Sequence, residues 1–246
     1  MKALILAAGK GERMRPLTEH TAKPLLRAGG KRLIEWHLEH LAAIGVRDAV
    51  VNVAWLAAQF PESLGDGSRW GLRLHFSHEG DEPLETGGGM LNALTVLGTD
   101  PFLVINGDIS CNLDLSTLPH EPRGHAHLVM VDNPVQHPHG DFVLDSDGLL
   151  SESRGTLPRL TYAGIGVFRP ELLDDWRRVI GPTLGAAATP PRFPLAPLLR
   201  NAMRSGLVSG QHHRGAWIDV GTPQRLAELD QQLSGTVEAH HPTTRG

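Results

Sequence analysis

The chain has 246 residues, a formal charge of −4 and 40% hydrophobic residues, which is enough for one large domain with a well-buried core. The charge balance and the lack of any sustained basic block argue against nucleic acid as the main partner, because gripping a phosphate backbone needs a clustered positive face. A single cysteine, Cys111, excludes an internal disulfide and suits a reducing cytoplasm, and no apolar run approaches the length that crosses a membrane.

From the amino end, Ala3 to Ala8 is continuously apolar and of strand length, the pattern of a central parallel strand covered on both faces. Its apolar stretch is too short for a secretory leader and runs straight into a charged loop. The loop breaks at Gly9 and Gly11, where missing side chains let a ligand approach the main chain. Lys10, Arg13, Arg15 and Lys23 surround it with cations, Pro16 and Pro24 stiffen its return, and successive backbone N–H groups in such a turn make an anion-binding concavity. Leu33, Ile34, Leu38, Leu41 and Ile44 then recur at helical spacing, with Gly45 placed as a cap.

Further along, the pattern predicts a strand over Ala49 to Val53, a helix around Trp55 to Leu64 and a strand near Leu72 to Phe76. A loop from Ser77 to Thr86 follows, leaving through Gly87-Gly88-Gly89 into a helix over Met90 to Leu97. Phe102 to Ile105 reads as a short apolar strand ending in Asn106-Gly107-Asp108. Alternating strand and helix signals favour an α/β fold with a Rossmann-like, doubly wound, mixed but mainly parallel sheet.

Beyond Asp114, short strands are expected at His125 to Val131, Gly140 to Leu144 and Tyr162 to Phe168, then helices at Glu171 to Val179 and Pro194 to Arg204. Leu207 to Gln211 and Ala216 to Val220 are strand candidates, and Thr222-Pro223 opens a last helix. The Gly/Ala/Thr/Pro-rich segment from Gly181 to Pro191 reads as a surface loop. The expected organisation is one domain over residues 1–233, with a nucleotide-binding half (1–114) and a sugar-binding half (115–233), followed by a disordered tail (234–246).

Two familiar phosphate motifs fail on the opening loop: Gly11 is followed by Glu12 and Arg13 rather than the P-loop's Lys-Ser/Thr, and Met14 stands where a dinucleotide fingerprint needs glycine. The stretch Gly9-Lys10-Gly11-Glu12-Arg13-Met14-Arg15-Pro16-Leu17-Thr18, with Ala22-Lys23-Pro24-Leu25 behind it, resembles the opening motif of the sugar-phosphate nucleotidyltransferases. That motif reads Gly-x-Gly-x-Arg-(Met/Leu)-x-Pro-Leu-Thr, a spacer, then Pro/Ala-Lys-Pro-Leu. The resemblance implies a glycosyltransferase-A-like fold and transfer of a nucleotidyl group from a nucleoside triphosphate to a sugar 1-phosphate, with Mg²⁺ as cofactor. Many members append a β-helix of hexapeptide repeats; with no internal repeat here, the resemblance is to single-domain members.

By the same resemblance Arg15 and Lys23 are catalytic, and Ala8, Gly9, Gly11, Glu12, Arg13, Glu85, Thr86 and Gly87 bind the nucleotide. Asp108, after the apolar strand, and Asp219, in Trp217-Ile218-Asp219-Val220-Gly221-Thr222-Pro223, hold the metal; read from the residues alone, a turn aspartate and a helix-capping network fit equally. Gly140, Asp141, Glu152 and Gly164 contact the sugar, although Asp141 and Glu152 also suit solvated strand edges. Where many relatives carry a lysine soon after the equivalent of Glu152, this chain has Ser153-Arg154 and later Arg159, with Arg154 the expected substitute. Leu84-Glu85-Thr86-Gly87-Gly88 and Ile105-Asn106-Gly107-Asp108-Ile109 resemble the subgroup that makes uridine-diphosphate N-acetylmuramate from N-acetylmuramate 1-phosphate, which makes UTP the expected donor.

Thymidylyl or guanylyl transfer to a hexose 1-phosphate, and cytidylyl transfer to a phosphorylated alcohol, remain alternatives. A non-catalytic regulatory subunit would have lost Arg15, Lys23 or an aspartate, and a glycosyltransferase would show Asp-x-Asp where Asn106-Gly107-Asp108 stands. The 14 histidines include the pairs His125/His127, His137/His139 and His212/His213, none with the companions of a zinc motif.

Overall fold

The computed structural model describes residues 1–153 and 155–238, with side chains through residue 235. The strands are β1 (Lys2–Leu6), β2 (Arg27–Ala28), β3 (Lys31–Arg32), β4 (Asp48–Val53), β5 (Arg73–His78), β6 (Phe102–Asn106) and β7 (Ile109–Cys111). They continue with β8 (Ala126–Val131), β9 (Phe142–Leu144), β10 (Leu150–Ser151), β11 (Arg159–Phe168), β12 (Val208–His212) and β13 (Trp217–Asp219). The helices are α1 (Leu17–His20), α2 (Leu33–Ala43), α3 (Gln59–Leu64), α4 (Glu85–Leu97), α5 (Trp176–Ile180), α6 (Ala196–Arg204) and α7 (Pro223–Glu238).

One nine-stranded sheet runs β10-β9-β11-β6-β1-β4-β5, with β8 beside β11 and β12 beside β8. Strands β6, β1, β4 and β5 are parallel, whereas β11 is antiparallel to both β6 and β8. The sheet is therefore mixed with a parallel centre, and strands from both sides of residue 114 share it. Strand β1 is apolar throughout because it is covered twice. Ala3 and Ile5 pack with Ile34, Leu38 and Phe60 on one face, while Leu4 packs with Val50, Met90 and Val104 on the other. Pairing sets Leu4 directly between Val50 and Val104, and each such fully buried side chain contributes roughly 1.5–3 kcal/mol.

Several boundaries differ from the sequence pattern. The helix expected from Trp55 begins only at Gln59, because Leu56 adopts φ 52° and the preceding turn braces the opening loop through Trp55 Nε1, which donates to Thr18 O at 3.0 Å. Helix α4 starts at Glu85 rather than Met90, so the three glycines lie inside it. The helix expected over Glu171 to Val179 divides into a 3₁₀ turn at Pro170–Leu173 and α5, where Trp176 stacks on Phe193 with centroids 4.7 Å apart. Helix α7 continues to Glu238, overturning an unstructured tail from residue 234; residues 239–246 lie outside the described residues. No helix among the described residues is long and apolar enough to cross a membrane.

Helix α2 buries His37, 6% exposed, with Nε2 lacking a hydrogen-bond partner. Burial and the nearby His40 lower its pKa to about 4, partly offset by a backbone hydrogen bond at Ile109. The unfolded chain takes up this proton near pH 6.5 and the native chain only near 4, so stability contributed by neutral His37 is complete above 6.5 and is lost as pH falls through this window. The loss amounts to ~3 kcal/mol over the whole window, of which about 2 kcal/mol falls between pH 7 and pH 5. Denaturant titrations at pH 7 and pH 5 should show it, and His37→Gln should flatten that pH dependence; an equal slope in both proteins refutes the assignment.

Candidate active site

A cleft of about 710 Å³ opens where β1, β4 and β6 end. Strand β1 lies between β4 and β6, so the chain leaves it toward one edge and returns on its other side. This switch in direction, at the carboxyl ends of parallel strands, is where open α/β sheets bind ligands. Ala8, Gly9, Gly11, Glu12, Arg13 and Lys23 line one side, Glu85 and Thr86 the other, with Asp108 between.

The opening loop is held by its own hydrogen bonds. Gly11 sits at φ 62°, where a Cβ would stand 2.9 Å from Thr18 Cγ2. Its carbonyl accepts from Thr18 Oγ1 at 2.8 Å and from Met14 N at 2.8 Å. Lys10 Nζ pairs with Glu82 at 2.7 Å across the mouth, and Lys23 Nζ, its side chain 9% exposed, pairs with Asp108 Oδ2 at 2.5 Å. Arg13 lines the cleft and makes no ion pair among the described residues. Arg15, exposed like Arg13, does not line the cleft. The 3₁₀ turn Glu12–Met14 buries Met14 and sets Arg13 rather than Arg15 against the cavity.

The two aspartates meet through a small ladder. Strand β13 pairs antiparallel with β7 and sets Asp219 opposite Ile109, and Val220 N donates to Asp108 O at 2.9 Å. Asp219 Oδ2 pairs with Arg225 Nη1 at 2.8 Å, while the adjoining Gly221 reaches the cleft. Among the described residues no third carboxylate, histidine or cysteine joins them. Two hard carboxylates suit magnesium, which takes few protein ligands and fills its remaining positions with water and phosphate oxygen.

Glu85 is an L-residue at φ 60°, a left-handed conformation that persists only where the surroundings hold it. Both polar atoms of the preceding residue are tied: Leu84 N donates to Glu79 Oε2 at 2.7 Å, and Leu84 O accepts from Phe193 N at 3.1 Å. The space beside the glycines after Thr86 is filled by protein. A Cβ on Gly87 would lie 2.6 Å from the Phe193 ring, and one on Gly88 2.5 Å from Pro191 O. This contact brings Arg192 to the cleft, within 3.4 Å of Glu85.

The sugar-side residues do not join this cavity. Asp141 accepts from Tyr162 N at 2.8 Å and Glu152 pairs with Arg200 and Arg204 of α6. Gly140 packs against Asn133, and Gly164, at φ 75°, against Asn106, which does line the cleft. Arg154 lies outside the described residues, and Arg159 is exposed. Sequence reasoning missed Asn52, Glu79, Glu82 and Arg192, all of which line the cleft. Asn52 carried a signal, as a polar residue within the apolar run Ala49 to Val53; Arg192 carried none.

Residues 2–142 match the family described as nucleotidyl transferase. The chain is 46% identical to N-acetylmuramate alpha-1-phosphate uridylyltransferase of Neisseria meningitidis serogroup B, over 96% of this chain and 99% of that protein. It is 33% identical to the protein of the same name from Caulobacter vibrioides, over 94% and 96%. Among solved structures it superposes on a Bacillus anthracis protein described as a glucose-1-phosphate thymidylyltransferase, with a TM-score of 0.79, 18% identity and 95% of each chain covered.

Gly88→Ala should destabilise the fold by about 1–3 kcal/mol, the usual cost of an overpacked site. Gly9→Ala, where a Cβ meets nothing within 4 Å, should stay within about 0.5 kcal/mol of the parent. Urea titration of both reads the contrast, and equal midpoints would contradict the packing described.

Proposed function

The chain belongs to the nucleotidyl transferase family, and from that membership and the cleft we propose that it transfers the uridylyl group of UTP to N-acetylmuramate 1-phosphate. The products are UDP-N-acetylmuramate and pyrophosphate. The reaction class is carried by one observation: Arg13, free of any acidic partner among the described residues, stands in the cleft beside the Lys23–Asp108 pair at the end of the central strands. The choice of substrates rests on the relatives that bear this activity in their name, of which one is 46% identical over 96% of this chain.

A phosphate oxygen of the sugar 1-phosphate attacks the α-phosphorus, and the bond to the pyrophosphate oxygen breaks. The nucleophile is already anionic, so no side chain has to remove its proton. The barrier is repulsion between two polyanions, which positioned cations lower. Arg13 offers a planar fork to phosphate oxygens, Lys23 a point charge held within a largely buried site, and Lys10 and Arg192 add two further cations to the lining. Backbone at Gly9 stays open to a phosphate. Asp108 and Asp219 would hold a magnesium ion, which supplies charge to the triphosphate oxygens. Glu85, Thr86 and Gly87 form the segment for the base. Gly140, Asp141, Glu152 and Gly164 are assigned to the sugar half, over residues 115–233. A cytoplasmic location fits a nucleoside triphosphate as donor.

Pyrophosphate release across UTP, dTTP, GTP and CTP against several sugar 1-phosphates should peak at UTP with N-acetylmuramate 1-phosphate. A peak at dTTP with glucose 1-phosphate, or GTP with mannose 1-phosphate, would overturn the substrates while leaving the reaction class. Arg13→Ala should lower kcat/KM by on the order of 10²-fold or more, and Arg15→Ala by less than about fivefold; the reverse ranking would restore Arg15. EDTA should abolish turnover and Mg²⁺ restore it.

A further inference from the structure

We propose that Glu79 is a positioning residue that, through Asn52, fixes the distance between the phosphate-holding loop and the base-holding segment. The proposal rests on the reading that this cleft takes a nucleoside triphosphate. Ala7 N donates to Asn52 Oδ1 at 2.5 Å, Asn52 Nδ2 donates to Glu79 Oε1 at 2.6 Å, and Leu84 N donates to Glu79 Oε2 at 2.7 Å. The relay therefore begins at the end of β1, crosses the tip of β4 and ends at the residue preceding the left-handed Glu85. Ala7, Asn52, Glu79 and Glu85 all line the cleft, so both ends of the relay are binding surface.

Each donor and acceptor in the relay has one possible partner type. A backbone N–H can only donate, so Ala7 turns the Asn52 oxygen toward itself and its amide toward Glu79. Glu79 must then accept at both of its terminal atoms, which a carboxylate does and a carboxamide does not. Its carboxylate is retained although it is only 3% exposed, and burial pushes its pKa up against the pull of the Leu84 N–H and the Asn52 amide. An apolar side chain would pack the same space without locking the rotation of Leu84, and Leu84 is what holds Glu85 in its left-handed state. A Cβ on Gly89 would fall 2.5 Å from Glu79 Oε1 and 2.8 Å from Asn52 Nδ2, so the glycine of the helix is what gives the relay its room.

The test exploits this matching. Glu79→Gln sets two N–H groups against each other, and Asn52→Asp sets two carboxylates together; either change should raise KM for the triphosphate about tenfold or more, as unmatched buried polar groups do. KM for the sugar 1-phosphate and kcat should move by less than about threefold. In the double variant Asn52→Asp/Glu79→Gln every partner matches again: Asp accepts from Ala7 N–H and from the Gln amide, and Gln accepts from Leu84 N–H. It should return the triphosphate KM to within about threefold of the parent, a coupling read by the double-mutant cycle. A double variant no better than its worse single, or losses spread equally over both substrates, would overturn the proposal. If neither single folds, the double decides alone, since it is required to fold and bind. The cycle is run with whichever triphosphate the parent turns over best, so a wrong choice of base shows in the parent and a wrong relay only in the variants.

Discussion

Opposite charges pair in and beside the cleft, and three of the four pairs join segments that are far apart in the chain. Lys10 meets Glu82, Lys23 meets Asp108, Arg192 meets Glu85 and Arg225 meets Asp219. Burying a cation such as Lys23 costs desolvation, which the Asp108 carboxylate beside it offsets. The same pairs define what a ligand must do. On the proposed reading, triphosphate oxygens would compete for the ammonium and guanidinium groups, and Asp108 and Asp219 would hold a magnesium ion. Arg13 stands outside this arrangement and is available at once.

The scaffold behind the rim is rigid for plain reasons of packing. Strand β1 is buried on both faces and clamped between two parallel neighbours, so the loop it delivers emerges at a fixed height. On the facing side, the glycine-rich start of α4 lets the chain around Phe193 lie directly on the helix backbone, with Gly88 N donating to Phe193 O at 3.0 Å. Side chains from the distal loop thereby become part of a site otherwise built from the first half of the chain. The β7–β13 ladder does the same for Asp219.

The superposition on a structure only 18% identical shows that this sheet tolerates wide change in sequence. Beside the cleft, Glu85 and Arg192 pair at 3.4 Å between distant segments, and the Asn52–Glu79 hydrogen bond joins the end of β4 to the residue that follows β5.

Much of this was legible in the residues alone. The continuous apolar run of β1, the helical spacing of α2 and the opening motif are local patterns, dictated by burial on two faces or one and by the needs of a phosphate. The position of Asp108 at the end of an apolar strand was legible in the same way. What the sequence could not decide was anything set by packing between distant segments: that Arg13 rather than Arg15 reaches the cleft, that Gly87 and Gly88 make room for Phe193 and Pro191 and Gly89 for Glu79, and that Glu152 is engaged by α6. Local composition reports how each segment behaves against water or apolar surroundings. Which buried donor meets which acceptor is decided only when the sheet brings residues 7, 52, 79 and 84 to one point.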